Sequence, residues 1–204
     1  VPPVYRIEMD PLLQFETNIR ELLAAMEKLE KEFPASVPSL ARQNAISELT
    51  ESFNNKGNYR TSPEDIATLL SLDAKTRFSL VENGILSLRE IYAQGIQDER
   101  LLANNASSPS GAITVFQIKK PNGDVAQRSV QSLEEALTYL RINLTAEGSG
   151  REISLALFRL FRNGVVPNLV YDANATHFVQ NDAVKNLKPV VVSVDQGQTI
   201  IEPN

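Results

Sequence analysis

The stretch REISLALFRLFRNGVVPNLVYDANATHFVQNDAVKNLKPVVVSVDQGQTII, residues 151–201, decides the fold. Its first part is apolar at helical spacing and ends at Gly164, which predicts a helix. The segment PNLVY then predicts a short strand, and a second helix follows to about residue 187. Two β-branched runs, residues 190–194 and 199–201, flank a Gln-Gly turn and predict a strand pair.

The strand and helix at residues 167–187 have a counterpart at the N-terminus. There VPPVY leads through an acidic turn into a long amphipathic helix that reaches about Phe33. Both copies run from proline through an apolar pair and a tyrosine, which makes Tyr5 and Tyr171 equivalent. We interpret them as two related strand-then-helix units with the rest of the chain inserted between them. Both tyrosines are expected to fill the core beside the strand ends with their hydroxyls on polar partners, and ligand stacking is the alternative role.

Three motifs in this order carry a family resemblance: VPPVYRIEMDP at residues 1–11, PNLVYDANAT at 167–176 and KPVVVSVDQGQTII at 188–201. They resemble the extracytoplasmic domain of bacterial seven-transmembrane receptors that carry an intracellular HD phosphohydrolase domain. The segment at residues 62–96, SPEDIATLLSLDAKTRFSLVENGILSLREIYAQGI, is similar to the family's acidic helices that end in a Gly-Ile pair. Residues 101–150 fit the family poorly.

This resemblance implies an excised soluble domain on the extracytoplasmic face of the bacterial cytoplasmic membrane. One membrane helix is expected before Val1 and six after Asn204. The implied cytoplasmic HD domain hydrolyses a cyclic dinucleotide, cyclic di-AMP in characterised relatives. The histidine and aspartate metal ligands of that chemistry are absent from this chain, so the fragment itself is expected to be no enzyme.

The central segment is mainly helical in pattern. A helix is predicted from Pro38 to about Phe53, and Ser62 with Pro63 predicts the start of two or three short helices. Two glycines, at positions 84 and 95, are expected to end these helices. Further starts are predicted at Asp10, followed by Pro11, and at two capping-box patterns, Ser132 with Glu135 and Ser149 with Glu152.

Alternating residues on both sides of a Pro-Asn-Gly turn predict a β-hairpin around residues 113–130. This hairpin is either a separate β unit or an extension of the sheet. The fold class is therefore α+β: a mainly helical domain with a small sheet formed by the N- and C-terminal strands plus the hairpin. The simplest sheet pairs residues 4–7 with the strands at 190–201, with residues 169–171 alongside.

We predict a single sensor-like domain over residues 1–204. Residues 1–33 and 151–204 form its membrane-proximal part, and residues 34–150 form a distal insert. In the family interpretation both chain ends emerge from the membrane surface, so Val1 and Asn204 are expected on one face of the molecule.

Composition limits the chemistry. The net charge of −5 argues against a nucleic-acid or anionic-membrane surface, which needs a basic patch. The chain has one histidine and no cysteine, which excludes disulfides and a cysteine-based or multi-histidine zinc site within one chain. No apolar run approaches the roughly 18–20 residues that a membrane span needs. No cofactor is expected in this fragment.

Few residues are candidates for a site. Asp172 follows Tyr171 in the family motif, and it or Asn174 is expected to cap the next helix. Arg151 follows Gly148-Ser149-Gly150 at a helix start, which suits either an anion cradle or a flexible cap. His177 is expected on a helix, either at the surface or half-buried, and a catalytic histidine is the alternative role. The acid pairs at 64–65 and 134–135 lie in first helical turns, where the helix dipole accounts for them.

Three functions follow from these observations. The first is a sensory ectodomain that binds an unknown extracytoplasmic ligand or protein and acts on the membrane helices of its own chain. The second is a self-contained carboxylate-based hydrolase, which needs two acids in one cleft. The third is a structural spacer or dimerisation domain, and a homodimer is compatible with all three.

Overall fold

The computed structural model describes residues 2–36, 39–98 and 115–187. Among these residues, helices and strands follow in the order β1 (Val4–Ile7), α1 (Asp10–Glu32), α2 (Leu40–Gly57), α3 (Pro63–Leu70), α4 (Ala74–Gln94), β2 (Val115–Lys119), β3 (Val125–Ser129), α5 (Leu133–Ala146), α6 (Arg151–Phe161), a 3-10 turn (Arg162–Gly164), β4 (Leu169–Tyr171) and α7 (Ala173–Lys185). The predicted mainly helical α+β fold is confirmed.

Six helices, α1 to α6, enclose the main hydrophobic core of the described residues. The predicted apolar stripe of α1 is buried along its whole length, from Leu12 and Phe15 to Leu29. Helix α1 packs against α2 and α4, and α6 packs against α3, α4 and α5. Amphipathic periodicity therefore predicted correctly which face of α1 turns inward. In α2 the prediction was wrong at Leu40, which is 72% exposed.

Several helix ends agree with the sequence patterns. Ser62 caps α3 by accepting the Asp65 N–H, with Pro63 in the first turn. Ser132 and Glu135 form the predicted capping box of α5. Gly95, with φ +89°, ends α4 as predicted.

Other predicted helix ends are wrong. Asp10 is the first residue of α1 rather than its cap, and Met9 precedes the helix without a side-chain hydrogen bond. Gly84 lies inside α4 and does not end it. The second capping box is absent, because the helix begins after Gly150 and the Ser149 hydroxyl lies 3.2 Å from the hydroxyl of Ser154 instead.

The described strands form one four-stranded sheet in the order β3-β2-β1-β4. Strand β1 pairs parallel with β2 and antiparallel with β4, and β2 and β3 form the predicted hairpin. The hairpin extends the sheet and is not a separate β unit, which decides between the two predicted alternatives. The side chains of Tyr5, Phe116 and Ile118 form a second, smaller apolar cluster on the sheet.

Strand β1 lies between β2 and β4 in the described sheet. The predicted place of residues 169–171 alongside β1 is confirmed. The helix of the second strand-then-helix unit, α7, packs against β1, where the Thr176 hydroxyl accepts the Val4 N–H at 2.9 Å. The predicted strands at 190–194 and 199–201 lie outside the described residues, and the shared face of the chain ends stays a prediction.

None of the helices in the described ranges is long and apolar enough to cross a membrane.

Candidate functional site

The two equivalent tyrosines lie opposite each other in the register of β1 and β4. Their rings make an edge contact with centroids 6.2 Å apart, and Tyr5 makes a second edge contact with Phe116 at 5.5 Å. Tyr5 is 6% exposed, so its predicted burial is confirmed. The predicted burial of Tyr171 is wrong, because its strand is at the edge of the described sheet and the side chain is 51% exposed.

Asp172 caps α7 by accepting a hydrogen bond from the Ala175 N–H at 2.9 Å. It was one of the two residues predicted as the cap of this helix. Its other carboxylate oxygen accepts a hydrogen bond from the Lys119 ammonium at 3.1 Å. The pKa of Asp172 lies below its usual value, first because of the Ala175 N–H and then because of the Lys119 hydrogen bond. The carboxylate is thus ionised near neutral pH and joins α7 to β2. Asn174, the other candidate cap, lies within the helix.

Arg151 is not part of this group. It is the first residue of α6 and is exposed to solvent. Gly150 precedes the helix with φ +93° and gives no side-chain cap. The geometry is that of a helix start with an exposed arginine, and no second feature of the described residues marks an anion cradle there.

A cavity of about 470 Å³ lies where the carboxyl ends of the parallel strands β1 and β2 meet the end of α4. Its wall includes Asp172, the one predicted site residue that borders it, together with Ile7, Ala93 and Ile118. This volume is within the range of about 300–1,000 Å³ that is typical of small-molecule sites.

Four cationic side chains line this cavity: Arg6, Lys119, Lys120 and Arg128. Arg6 pairs with Glu8 at 3.2 Å, and Lys119 pairs with Asp172. Arg128 donates to the carbonyls of Ala93 at 2.7 Å and Gln94 at 3.1 Å, at the end of α4. The lining residues therefore carry an excess of positive charge in a chain whose net charge is −5.

Sequence reasoning missed these four cations because they are scattered along the chain. Arg6 and Lys119 lie opposite each other only because β1 and β2 pair in parallel across more than a hundred residues. The signal that was present is local: Lys119 and Lys120 directly precede the Pro-Asn-Gly turn, and Arg128 is on the returning strand. That pattern predicted the hairpin but not its pairing with β1.

The buried acids of the helical body are paired singly with arginines. Glu16 accepts two hydrogen bonds from Arg89, both at 2.7 Å, and Asp65 accepts one from Arg159 at 3.0 Å. Arg77, which is 1% exposed, donates to both carboxylate oxygens of Glu30. These pairs join different helices. Among the described residues, no group of three or more histidine, cysteine or acidic side chains is placed to hold a metal ion.

The only histidine of the chain, His177, is exposed on α7, as predicted. A catalytic Ser-His-Asp arrangement would have to include it. In the described residues no hydrogen bond joins its imidazole to a serine or a carboxylate.

Comparison with protein families identifies the class of domain. The family model described as the 7TM-HD extracellular domain matches residues 1–204, the whole of the chain. The chain therefore belongs to this family, the extracytoplasmic domains of seven-transmembrane HD receptors, and the resemblance carried by the three sequence motifs is confirmed. Comparisons with curated proteins and with solved structures gave no match.

Proposed function

We propose that this domain senses an extracytoplasmic ligand and thereby regulates a cytoplasmic HD phosphohydrolase that acts on cyclic di-AMP. Membership of the 7TM-HD extracellular family supports the role as ectodomain of a membrane receptor. The ligand, the direction of regulation and the cyclic dinucleotide are parts of the proposal.

The cavity between β1, β2 and α4 is the observation that carries it. Its wall combines Arg6, near the start of the chain, with Asp172, which caps α7 late in the chain. A ligand that occupies the space between them would favour one relative position of these two parts over another. Regulation requires such a difference in affinity between two states.

In this proposal the hydrolysis is done by another domain of the receptor. HD-type metal pairs need several histidine and aspartate ligands, and this chain contains one histidine. The proposal treats the present chain as the regulatory part alone.

The test compares two proteins in one assay of cyclic di-AMP hydrolysis with Mn²⁺. We expect turnover by the purified full-length receptor and none by the 204-residue chain. Metal-dependent turnover by the 204-residue chain would overturn its regulatory role and favour the hydrolase alternative. A full-length receptor without activity on cyclic di-AMP would refute the proposed substrate.

The genomic sequence around this chain gives an independent check. The proposal expects one apolar span before Val1, six after Asn204 and an HD motif beyond them. A gene that encodes neither spans nor an HD motif would contradict it.

A further inference from the structure

We propose that the cavity binds a small organic anion with an apolar body, held by Arg6, Lys120 and Arg128 and opposed by Asp172. This inference deepens the proposed function by naming the class of ligand. It rests on the chemistry of the cavity wall, and its test measures binding by the 204-residue chain itself.

Charge is the first argument. Four cations and one carboxylate line the cavity, and Glu8 is the further acid that pairs with a lining cation. Lys120 is exposed, and no carboxylate of the described residues pairs with its ammonium. Arg128 donates to two uncharged carbonyls at the C-terminus of α4. The partial negative charge of a helix C-terminus offsets only part of a full positive charge.

The apolar part of the wall is the second argument. Ile7, Met9, Ala93, Ile118 and Pro121 line the same cavity as the cations. An inorganic anion would leave this surface in contact with water. A ligand that has both an anionic group and an apolar body would bury it, and burial of apolar surface is favourable by roughly 25 cal/mol per Å².

The carboxylate of Asp172 competes with an anionic ligand for the cations of the cavity. This carboxylate holds the Lys119 ammonium at 3.1 Å beside the cavity. Replacing Asp172 by asparagine removes the negative charge, while asparagine caps helices about as well as aspartate. The variant Asp172→Asn is therefore expected to keep α7 and to raise the positive potential of the cavity.

The probe is 8-anilinonaphthalene-1-sulfonate, an aromatic anion whose fluorescence reports binding. Its matched control is N-phenyl-1-naphthylamine, which is the same molecule without the sulfonate. We expect the anion to bind the wild-type chain more tightly than the neutral amine. Equal affinities would overturn the proposal, because the cations would then contribute nothing.

Variants locate the binding. Exposed charge pairs contribute about 0.2–1 kcal/mol each, so Arg6→Gln and Lys120→Gln should each weaken anion binding up to about fivefold. Asp172→Asn should strengthen it by a similar factor, and none of the three should change binding of the neutral amine. The control is Lys75→Gln, because Lys75 is an exposed lysine on α4, roughly 27 Å along the helix axis from Ala93.

Thermal unfolding of each variant confirms that it is folded before binding is compared. If Arg6→Gln and Lys120→Gln bind the anion like Lys75→Gln, the cavity is not the anion site. A loosened fold would expose apolar surface and raise the binding of both probes, so the gain expected for Asp172→Asn is one confined to the anion. Its absence, with wild-type affinity retained, would also contradict the proposed opposition between Asp172 and the ligand.

The same chemistry belongs to a free organic anion and to an acidic lipid headgroup. Sedimentation with phosphatidylglycerol vesicles and with phosphatidylcholine vesicles separates these sources. Binding to the acidic vesicles that disappears in Arg6→Gln and Lys120→Gln would assign the cavity to a lipid headgroup. Equal sedimentation with both kinds of vesicle would assign it to a soluble anion, provided that the probe binds as expected.

Discussion

The hydroxyl of Tyr92 is a buried hydrogen-bond donor within the helical body. The residue is fully buried, and its hydroxyl donates to the Gly164 carbonyl at 2.8 Å. Burial raises the pKa of Tyr92 to about 12, because the phenolate would lose its hydration. The hydrogen bond joins the C-terminal half of α4 to the turn that follows α6.

This raised pKa predicts a loss of stability at alkaline pH. The folded protein holds the Tyr92 proton up to about pH 12, whereas the unfolded chain releases it near pH 10, so the stabilisation is complete below pH 10 and is lost as pH rises toward 12. Tyr92→Phe should be less stable by about 1–2 kcal/mol at pH 7, because the Gly164 carbonyl loses its donor. The stability difference should shrink between pH 9 and 11 in urea unfolding experiments. A difference that stays constant over this range would contradict the buried phenol.

Tyr5 and Tyr171 allow the same substitution to be compared at a buried and at a half-exposed position. Tyr5→Ala should lower the free energy of unfolding by about 3 kcal/mol, as for other buried aromatic side chains. Tyr171→Ala should cost about 1 kcal/mol or less, because half of its side chain is already exposed. Chemical unfolding of the two variants measures both values. Equal losses would mean that Tyr171 is covered in solution.

The sequence predicted single residues well where a local pattern determines them. The cap at Asp172 and the burial of Tyr5 follow from the motif in which each is found. The exposure of Tyr171 depends on β4 being an edge strand, which is a property of strand order. Arg6 lines the cavity because β1 lies beside β2, and this pairing could not be predicted from the residues around Arg6.

At the scale of helices, Gly84 shows why a glycine need not end a helix. A Cβ atom at this position would lie 2.5 Å from the ring of Phe161, on α6. Helix α4 therefore continues through Gly84, and the missing side chain lets α6 approach closely. The local sequence pattern predicted a helix end at this glycine, because such a pattern carries no information about the neighbouring helix.

Gly84→Ala should consequently destabilise the protein, although alanine is the better helix former by about 1 kcal/mol. The added methyl group overpacks the interface between α4 and α6, at a cost of about 1–3 kcal/mol. Adding Phe161→Leu should restore part of the loss, since the smaller side chain makes room for the methyl group. Unfolding of the two single variants and the double variant measures the coupling. A Gly84→Ala variant that is more stable than wild type would show that the helices separate freely.

Helices and sheet differ in how far the sequence could predict them. The helices follow from apolar periodicity and from caps such as Ser62 and Ser132, which are local signals. The hairpin of β2 and β3 also follows from its turn. The parallel pairing of β1 with β2 joins segments more than a hundred residues apart, and no local pattern specifies it.

In the whole molecule, the sheet brings together both ends of the described chain. Strand β1 lies between the hairpin and β4, and α7 packs against β1. The cavity lies at the same sheet, and its wall includes residues of the first strand and the residue that caps α7. The division into a membrane-proximal part and an insert at 34–150 stays a prediction, with the qualification that the hairpin of the insert pairs with β1.

We propose that this cavity controls the hydrolase of the full-length receptor. The most direct measurement is the cyclic di-AMP content of cells that express this receptor as wild type, as Arg6→Gln with Lys120→Gln, or as Lys75→Gln, at equal amounts in the membrane. We expect the double variant to change the cyclic di-AMP content relative to wild type, and Lys75→Gln to leave it unchanged. Equal contents in all three strains, with an active hydrolase, would contradict control through this cavity.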